Sequence, residues 1–280
     1  MTSTSYGVII GSIAVACYLA TEAKPAEPTD NLFLAVGGGG RESPGDDATG
    51  YGVVGFNWGI PLNHDSAPED VGVGLQLGAD HTLREGHDEW GATAGIFARR
   101  LPSFGEQKSA AALLLDYFRT THRADVWALR PILGTTITDR DAVGVTGSIG
   151  LRDDRRQAAC AECLEEVRAF WTRDWNDDLV TELSAGLQGS DVDEAVFAVQ
   201  AAYSLSPDWD VTVGAEVNTD AAYQVGLRFS YHFGGLRRHD SVHLVRGRDA
   251  ARFTPWPRRL GGAIPCGASV GSADDPEPRD

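Results

Sequence analysis

Three things are scarce in this chain of 280 residues, and each scarcity closes off a class of function. Positive charge is the first: 24 Lys and Arg stand against 40 Asp and Glu, a formal net charge of −16. A nucleic-acid partner needs a basic face to meet phosphates, so nucleic acid is excluded. Lysine itself is reduced to Lys24 and Lys108, with Arg supplying the other basic residues. Cysteine is the second, at 4 in all. Cys17 and Cys266 lie near the two ends, and Cys160 and Cys163 form a lone CxxC, which is no disulfide scaffold at this length. With no second CxxC and no suitably spaced His pair, the zinc-ribbon pattern is missing as well. Long apolar runs are the third. Past residue 23, nothing approaches the roughly 18–20 apolar residues of a membrane-crossing helix.

What the chain has instead is period two. In 221–233, Tyr223, Val225, Leu227, Phe229, Tyr231 and Phe233 alternate with Ala222, Gln224, Gly226, Arg228, Ser230 and His232. A strand sends successive side chains to opposite faces, so this is one apolar wall backed by one small or polar wall. Upstream the unit repeats over 50–62, 71–83, 89–101, 142–152, 178–188, 195–205 and 209–218. In 50–62 the apolar row is Val54, Phe56, Trp58 and Ile60; in 71–83 it is Val71, Val73, Leu75, Leu77 and Ala79. Segment 109–121 is apolar on both faces through Leu113, Leu114 and Leu115. Segment 124–138 carries Pro131, which predicts a bulge or an irregular edge there. Ser206-Pro207-Asp208 and Thr219-Asp220 supply tight-turn chemistry between the last strands, which makes them a meander of antiparallel hairpins.

The remaining segments are of other kinds. Residues 1–23 read as an export signal: Tyr6–Ala20 is an apolar core, and Thr21 and Ala23 put small residues at a cleavage site, although MTSTS lacks Lys and Arg. The competing reading is a buried N-terminal element. Residues 24–31 are a linker by their Pro and charge. Gly37–Gly40 is expected to be a flexible loop, since no helix and no Lys-Ser/Thr follow to make it a phosphate cradle. Within 158–175, Ala159, Cys163, Val167 and Phe170 are spaced as on a helix, while Arg168–Trp175 reads equally as an aromatic strand. The stretch 234–280 has no alternation and is expected to be a disordered extension.

Strand length points to the environment. Sandwich strands run about 5–6 residues, whereas these segments run 10–13. About 12 residues at about 3.3 Å each, tilted by about 45°, cross about 28 Å, the thickness of a hydrocarbon core. The second face is too polar for a sandwich interior and suits a barrel lumen. Tyr51, Trp58, Trp90, Tyr117, Trp127, Trp209, Tyr223 and Phe233 fall near strand ends, as an aromatic girdle requires. In lipid such a sheet must close, because open edges leave amides unpaired. The expected fold is therefore all-β, an antiparallel up-and-down transmembrane barrel spanning 32–233. Counting 32–38 and 165–175 as strands gives 12 strands, and omitting both gives 10.

Gln224-x-Gly226-x-x-Phe229-x-Tyr231, with Phe233 behind it, resembles the terminal-strand signal of bacterial outer-membrane β-barrel proteins. The resemblance covers 24–233 at the level of architecture and implies an outer-membrane location, with lipids and the barrel-assembly machinery as partners. It departs from that pattern in running on to Asp280 beyond the final aromatic.

Candidate functional residues lie on the inward face: Asp116, Glu182, Gln200, Glu216, Gln224 and Arg228. In an open lumen such acids favour small cations or solutes; in a plugged one they form a buried ion-pair network. No Gly-x-Ser-x-Gly or His-x-x-Glu-His pattern is present, and no cofactor or metal is called for. His81, His87 and His122 fall in predicted rim turns, and Arg84–Glu89 reads as a solvated charged turn. The expectation is a non-enzymatic barrel acting as a narrow pore, surface receptor or structural protein. The alternatives are an outer-membrane lipid-modifying hydrolase and a secreted soluble β-protein.

Overall fold

The structure, a computed structural model, describes residues 31–233 apart from connections 43–47, 62–70, 85–86, 101–108, 120–124, 152–165, 189–193 and 220–221 and turn residues 139, 177 and 207. The export signal, nearly all of the linker, the CxxC, His122 and the extension after 233 lie outside these residues.

Twelve strands run in chain order: β1 (Asn31–Glu42), β2 (Thr49–Pro61), β3 (Val71–Arg84), β4 (His87–Arg100), β5 (Ser109–Arg119) and β6 (Asp125–Thr136), then β7 (Asp141–Leu151), β8 (Glu166–Asp174), β9 (Leu179–Gln188), β10 (Glu194–Ser204), β11 (Trp209–Asn218) and β12 (Tyr223–His232). Each pairs antiparallel with its sequence neighbours, and β1 closes on β12 from Phe33↔His232 to Glu42↔Tyr223. The sheet has no edge, which is what a strand-built membrane crossing needs. Among the described residues no helix is long and apolar enough to cross a membrane.

Alternation becomes burial. On β12, exposed Tyr223, Val225, Leu227 and Phe229 alternate with Gln224, Gly226 and Ser230, which are buried in the lumen. The outer surface carries Ile96, Leu133, Ile149, Leu183, Phe197, Val213 and Leu227, all exposed. In water such a surface would be an aggregation hazard, and in a bilayer it is the solvated face. Trp90 and Trp127 at one rim, and Trp175 and Leu205 at the other, extend the same outward rows to the strand ends.

Three turns at the rim that carries both barrel termini share one construction. Thr138 Oγ1 accepts from the Arg140 and Asp141 amides, Asn176 Oδ1 from those of Asp178 and Leu179, and Ser206 Oγ from that of Asp208. Short polar side chains that bond the backbone two or three residues on are what make four-residue turns here. The preceding position in each turn, Ile137, Trp175 or Leu205, stays exposed on the apolar side.

Four expectations are corrected. Gly37–Gly40 is not a loop but the interior of β1, paired on both sides. The reason is steric: a Cβ on Gly37 would stand 2.5 Å from the Leu227 carbonyl oxygen, and one on Gly39 would meet the Val225 carbonyl and lie 2.7 Å from the Tyr51 hydroxyl. The Tyr51 ring occupies that space, and its hydroxyl donates to the Val225 carbonyl at 3.2 Å. Tyr51 is accordingly buried in the lumen and is no girdle residue. Pro131 makes no bulge: β6 keeps one register from Trp127↔Leu151 to Thr136↔Ala142, losing only the pairs at Arg130 and Pro131. Its ring removes a donor without adding a residue, and the Thr146 hydroxyl donates to the Pro131 carbonyl at 3.4 Å. The helical reading within 158–175 gives way to β8, because Arg168, Phe170 and Thr172 are needed on the inner wall.

Candidate functional site in the lumen

The inward residues divide the lumen into two unlike halves. On the wall made by β4–β8, Phe97, Ala110, Ala112, Leu114, Ile132 and Ala142 form an apolar cluster against Phe170. This is why β5 is apolar on both faces: Leu113 and Leu115 face outward, and Leu114, with no exposure at all, fills the interior. Beside it Asp116, also fully buried, takes two parallel bonds from Arg130, Nε to Oδ2 at 2.9 Å and Nη2 to Oδ1 at 2.9 Å. The Thr93 hydroxyl donates to the same carboxylate. The fork of a guanidinium fits a carboxylate edge-on, so both charges are neutralised without water.

A second ion cluster spans the opposite wall. Arg168 on β8 reaches Glu166 at 3.0 Å and Glu216 on β11 at 2.7 Å. It crosses β9 at Gly186, where a Cβ would lie 2.8 Å from Arg168 Cγ; the glycine leaves the guanidinium its path. Toward the rim with the barrel termini, Asp210 Oδ2 lies 2.7 Å from His232 Nε2, and Arg228 Nη2 donates to Thr212 Oγ1 at 3.3 Å. Near the other rim, Arg41 approaches Glu89 at 3.6 Å, and Gln188 and Asn218 both donate to Glu194, at 3.0 and 3.1 Å. Gln224 Nε2 reaches the Tyr51 hydroxyl at 3.5 Å, next to the glycine seam.

Between these clusters the β9–β11 wall is only half filled. Glu182, Ser184, Ala198, Gln200, Ala202 and Gly214 face inward at mid-strand and stay half-buried, whereas Thr93, Leu114, Asp116, Ala128 and Arg130 opposite are sealed. The Thr172 hydroxyl donates to Glu182 at 3.5 Å. Glu182, Gln200 and Gly214 stand in lateral register, and Gly214 pairs with Gly226, which pairs with Gly39. Two absent side chains beyond Gln200 leave room along that line.

All six expected lumen residues therefore face inward, but they do not form one site. Asp116 belongs to the sealed β4–β6 cluster, Glu216 and Gln224 lie near the far rim, Arg228 lies near the terminal rim, and Glu182 and Gln200 border the unfilled strip. Arg130 and Arg168, which pair with Asp116 and Glu216, and Arg41, which approaches Glu89, were not singled out from the sequence. Strand parity alone marks them as inward, since Arg130 follows the phase of Ala128 and Ile132. Of the assembly-signal residues, Gln224 and Gly226 face the lumen and Phe229 faces outward, while Tyr231 and Phe233 stack edge to face at 5.0 Å.

Two histidines are positioned by the structure. His81 lies inside β3, not in a turn, with its ring stacked on Trp90 at 3.9 Å. Its cross-strand neighbours are Val54 and Trp90. His232 is held by Asp210. Among the described residues no group of His, Cys, Asp and Glu is arranged to hold a metal ion.

No family model matches the sequence, and no curated protein is similar to it. Solved structures do match in shape. The COG4313 outer membrane channel from Pseudomonas putida F1 aligns with 76% of this chain and 100% of its own at a TM-score of 0.50 and 10% identity. Outer membrane phospholipase A from Escherichia coli aligns with 78% and 96% at 0.50 and 8% identity. KdgM porin covers 70% of this chain and 98% of its own at 0.46 and 6% identity. A channel and a phospholipase share this architecture, so the likeness carries the fold and leaves the chemistry to the side chains. This chain therefore has the closed, all-antiparallel twelve-strand β-barrel fold that those outer-membrane proteins share.

Proposed function

We propose that the protein is a narrow, cation-favouring pore of the outer membrane and not an enzyme. The observation that carries this reading is the one-sided filling of the lumen: sealed by Leu114 and the Asp116–Arg130 pair on β4–β6, half-filled along Glu182, Gln200 and Gly214. A strip bordered by a carboxylate, an amide and glycine presents oxygen ligands to a passing cation and a repulsive field to an anion. Among the residues whose side chains are described, inward acids outnumber inward arginines: Asp80, Glu89, Asp116, Glu166, Asp174, Glu182, Glu194, Asp210 and Glu216 stand against Arg41, Arg130, Arg168 and Arg228. The apolar exterior and the terminal-strand signal favour residence in the outer membrane of a bacterial envelope, reached through the assembly machinery of that membrane.

Planar-bilayer recording of the folded protein under a salt gradient tests this. Unitary conductance steps with a cation-selective reversal potential are expected, and Glu182→Gln should move that potential toward zero while leaving the folded fraction unchanged. A silent, correctly folded barrel would identify a plugged structural protein. Phospholipid turnover by the parent protein would establish the hydrolase.

A further inference from the structure

Among the described residues the outer wall carries a concave patch, and it lies beside a cluster of arginine and tryptophan side chains. The concavity, about 620 Å³, crosses β4–β7 near the rim that carries the barrel termini. Here Ala98, Ser109, Ala111 and Thr135 stand outward in adjacent register, bordered by Leu133, Val143 and Val145. Gly134 and Gly144, paired with each other, leave bare backbone as the floor. The Phe170 ring lies against Gly144 from the lumen side, so the floor cannot be thickened inward. Four strands abreast make the groove about 14 Å long at about 4.8 Å per spacing, the scale of a lipid tail.

At the terminal end of the same β6–β7 hairpin the surface changes character. Arg140 is exposed, and its Nη1 donates to the Trp175 carbonyl at 3.4 Å. Asp141 accepts from both Trp171 Nε1 at 3.1 Å and Arg173 Nη1 at 3.3 Å, and the Arg173 guanidinium lies 4.9 Å over the Trp175 ring. Trp171 is the cross-strand partner of Val143, a wall of the groove, so the two features are continuous. Indoles at the interface fix the depth of a barrel in the bilayer, and guanidinium groups there meet lipid phosphates. The rim also carries carboxylates, Asp141 and Asp178, so a purely anionic headgroup would meet repulsion as well as attraction.

We propose that this groove and the Arg140–Arg173 rim form a specific site for one zwitterionic ethanolamine glycerophospholipid. One acyl chain lies along Ala98, Ala111 and Gly134, the phosphate sits between Arg140 and Arg173, and the ammonium faces the neighbouring carboxylates. The site depends on the barrel being in a membrane and not on whether it conducts.

The test uses the full-length protein, delipidated in detergent and checked for folding by heat-modifiable mobility. Native mass spectrometry with added phosphatidylethanolamine or phosphatidylglycerol then reads bound lipid per barrel. One phosphatidylethanolamine per barrel is expected, with at least about tenfold weaker retention of phosphatidylglycerol. Ala98→Leu/Ala111→Leu, which fills the groove from the lipid side, should abolish retention. Arg140→Gln/Arg173→Gln should reduce it about tenfold and erase the headgroup preference. Equal retention of the two lipids by the parent, or unchanged retention in the groove-filled variant, overturns the proposal. So does a dimer in detergent that the groove-filled variant converts to monomer, since the occupant would then be a second copy of this chain.

Discussion

Asp116→Ala is the sharpest test of the sealed half of the lumen. Asp116 has no exposure and Arg130 is 3% exposed, so removing the carboxylate leaves a guanidinium among Leu114, Ala128 and Ile132 with no water to take its place. Losing one member of a buried pair costs about 3–5 kcal/mol, because the remaining charge keeps its desolvation penalty. With an m-value of about 2 kcal/mol/M, the urea midpoint of the protein reconstituted in lipid vesicles falls by about 1.5–2.5 M. Tryptophan fluorescence reads the transition, with heat-modifiable mobility as a check on barrel closure. The companion Asp116→Leu/Arg130→Met removes both charges and keeps the volume, and should fall within about 1 kcal/mol of the parent. A single variant that lowers the midpoint by less than about 0.5 M would refute the reasoning. A double variant as unstable as the single would do so too, by showing that packing and not charge was lost.

Three further outcomes follow from the wall itself. Gly39→Val places a side chain on the Val225 carbonyl and the Tyr51 ring, so β1 and β12 should fail to close and the heat-modifiable form should be lost. Leu183→Arg puts a charge on the lipid-facing surface at mid-strand and should destabilise the reconstituted barrel by about 2–4 kcal/mol; an unchanged midpoint would mean that face is not in lipid. Ending the chain after Phe233 keeps the last ladder bond, from the Phe233 amide to the Leu32 carbonyl at 3.0 Å, and should leave membrane insertion intact; lost insertion would assign the following residues to the fold.

Much of the barrel was legible because period two is local. The segment read as 71–83 is β3 at Val71–Arg84, and 209–218 is β11 to the residue. Parity also held more than the girdle argument used: Tyr51 is out of phase with Phe56 and Trp58, which already puts it inside. What local pattern could not carry was anything decided between distant strands. Gly37–Gly40 has no side chains to alternate, and only its fit against β12 and Tyr51 makes it a strand. The apolar lumen cluster needs Leu114, Phe97 and Ile132 from three strands to meet. The partner of Glu216 is likewise settled between distant strands, since Arg168 reaches it over two intervening strands.

The seam at Gly39 also has a place in time. Its latch, from the Tyr51 hydroxyl to the Val225 carbonyl, joins groups 174 residues apart, and every other ladder joins strands adjacent in sequence. Eleven hairpin-linked ladders form by short-range closure, but this one waits until the final strand exists, and contacts of that separation are the slow ones. Until then β1 and β12 are two bare edges, each able to recruit a foreign strand. The interval before Tyr51 settles over Gly39 is thus the one in which both edges lie open to foreign strands, and the speed with which that seam closes sets how long the chain stays exposed to them.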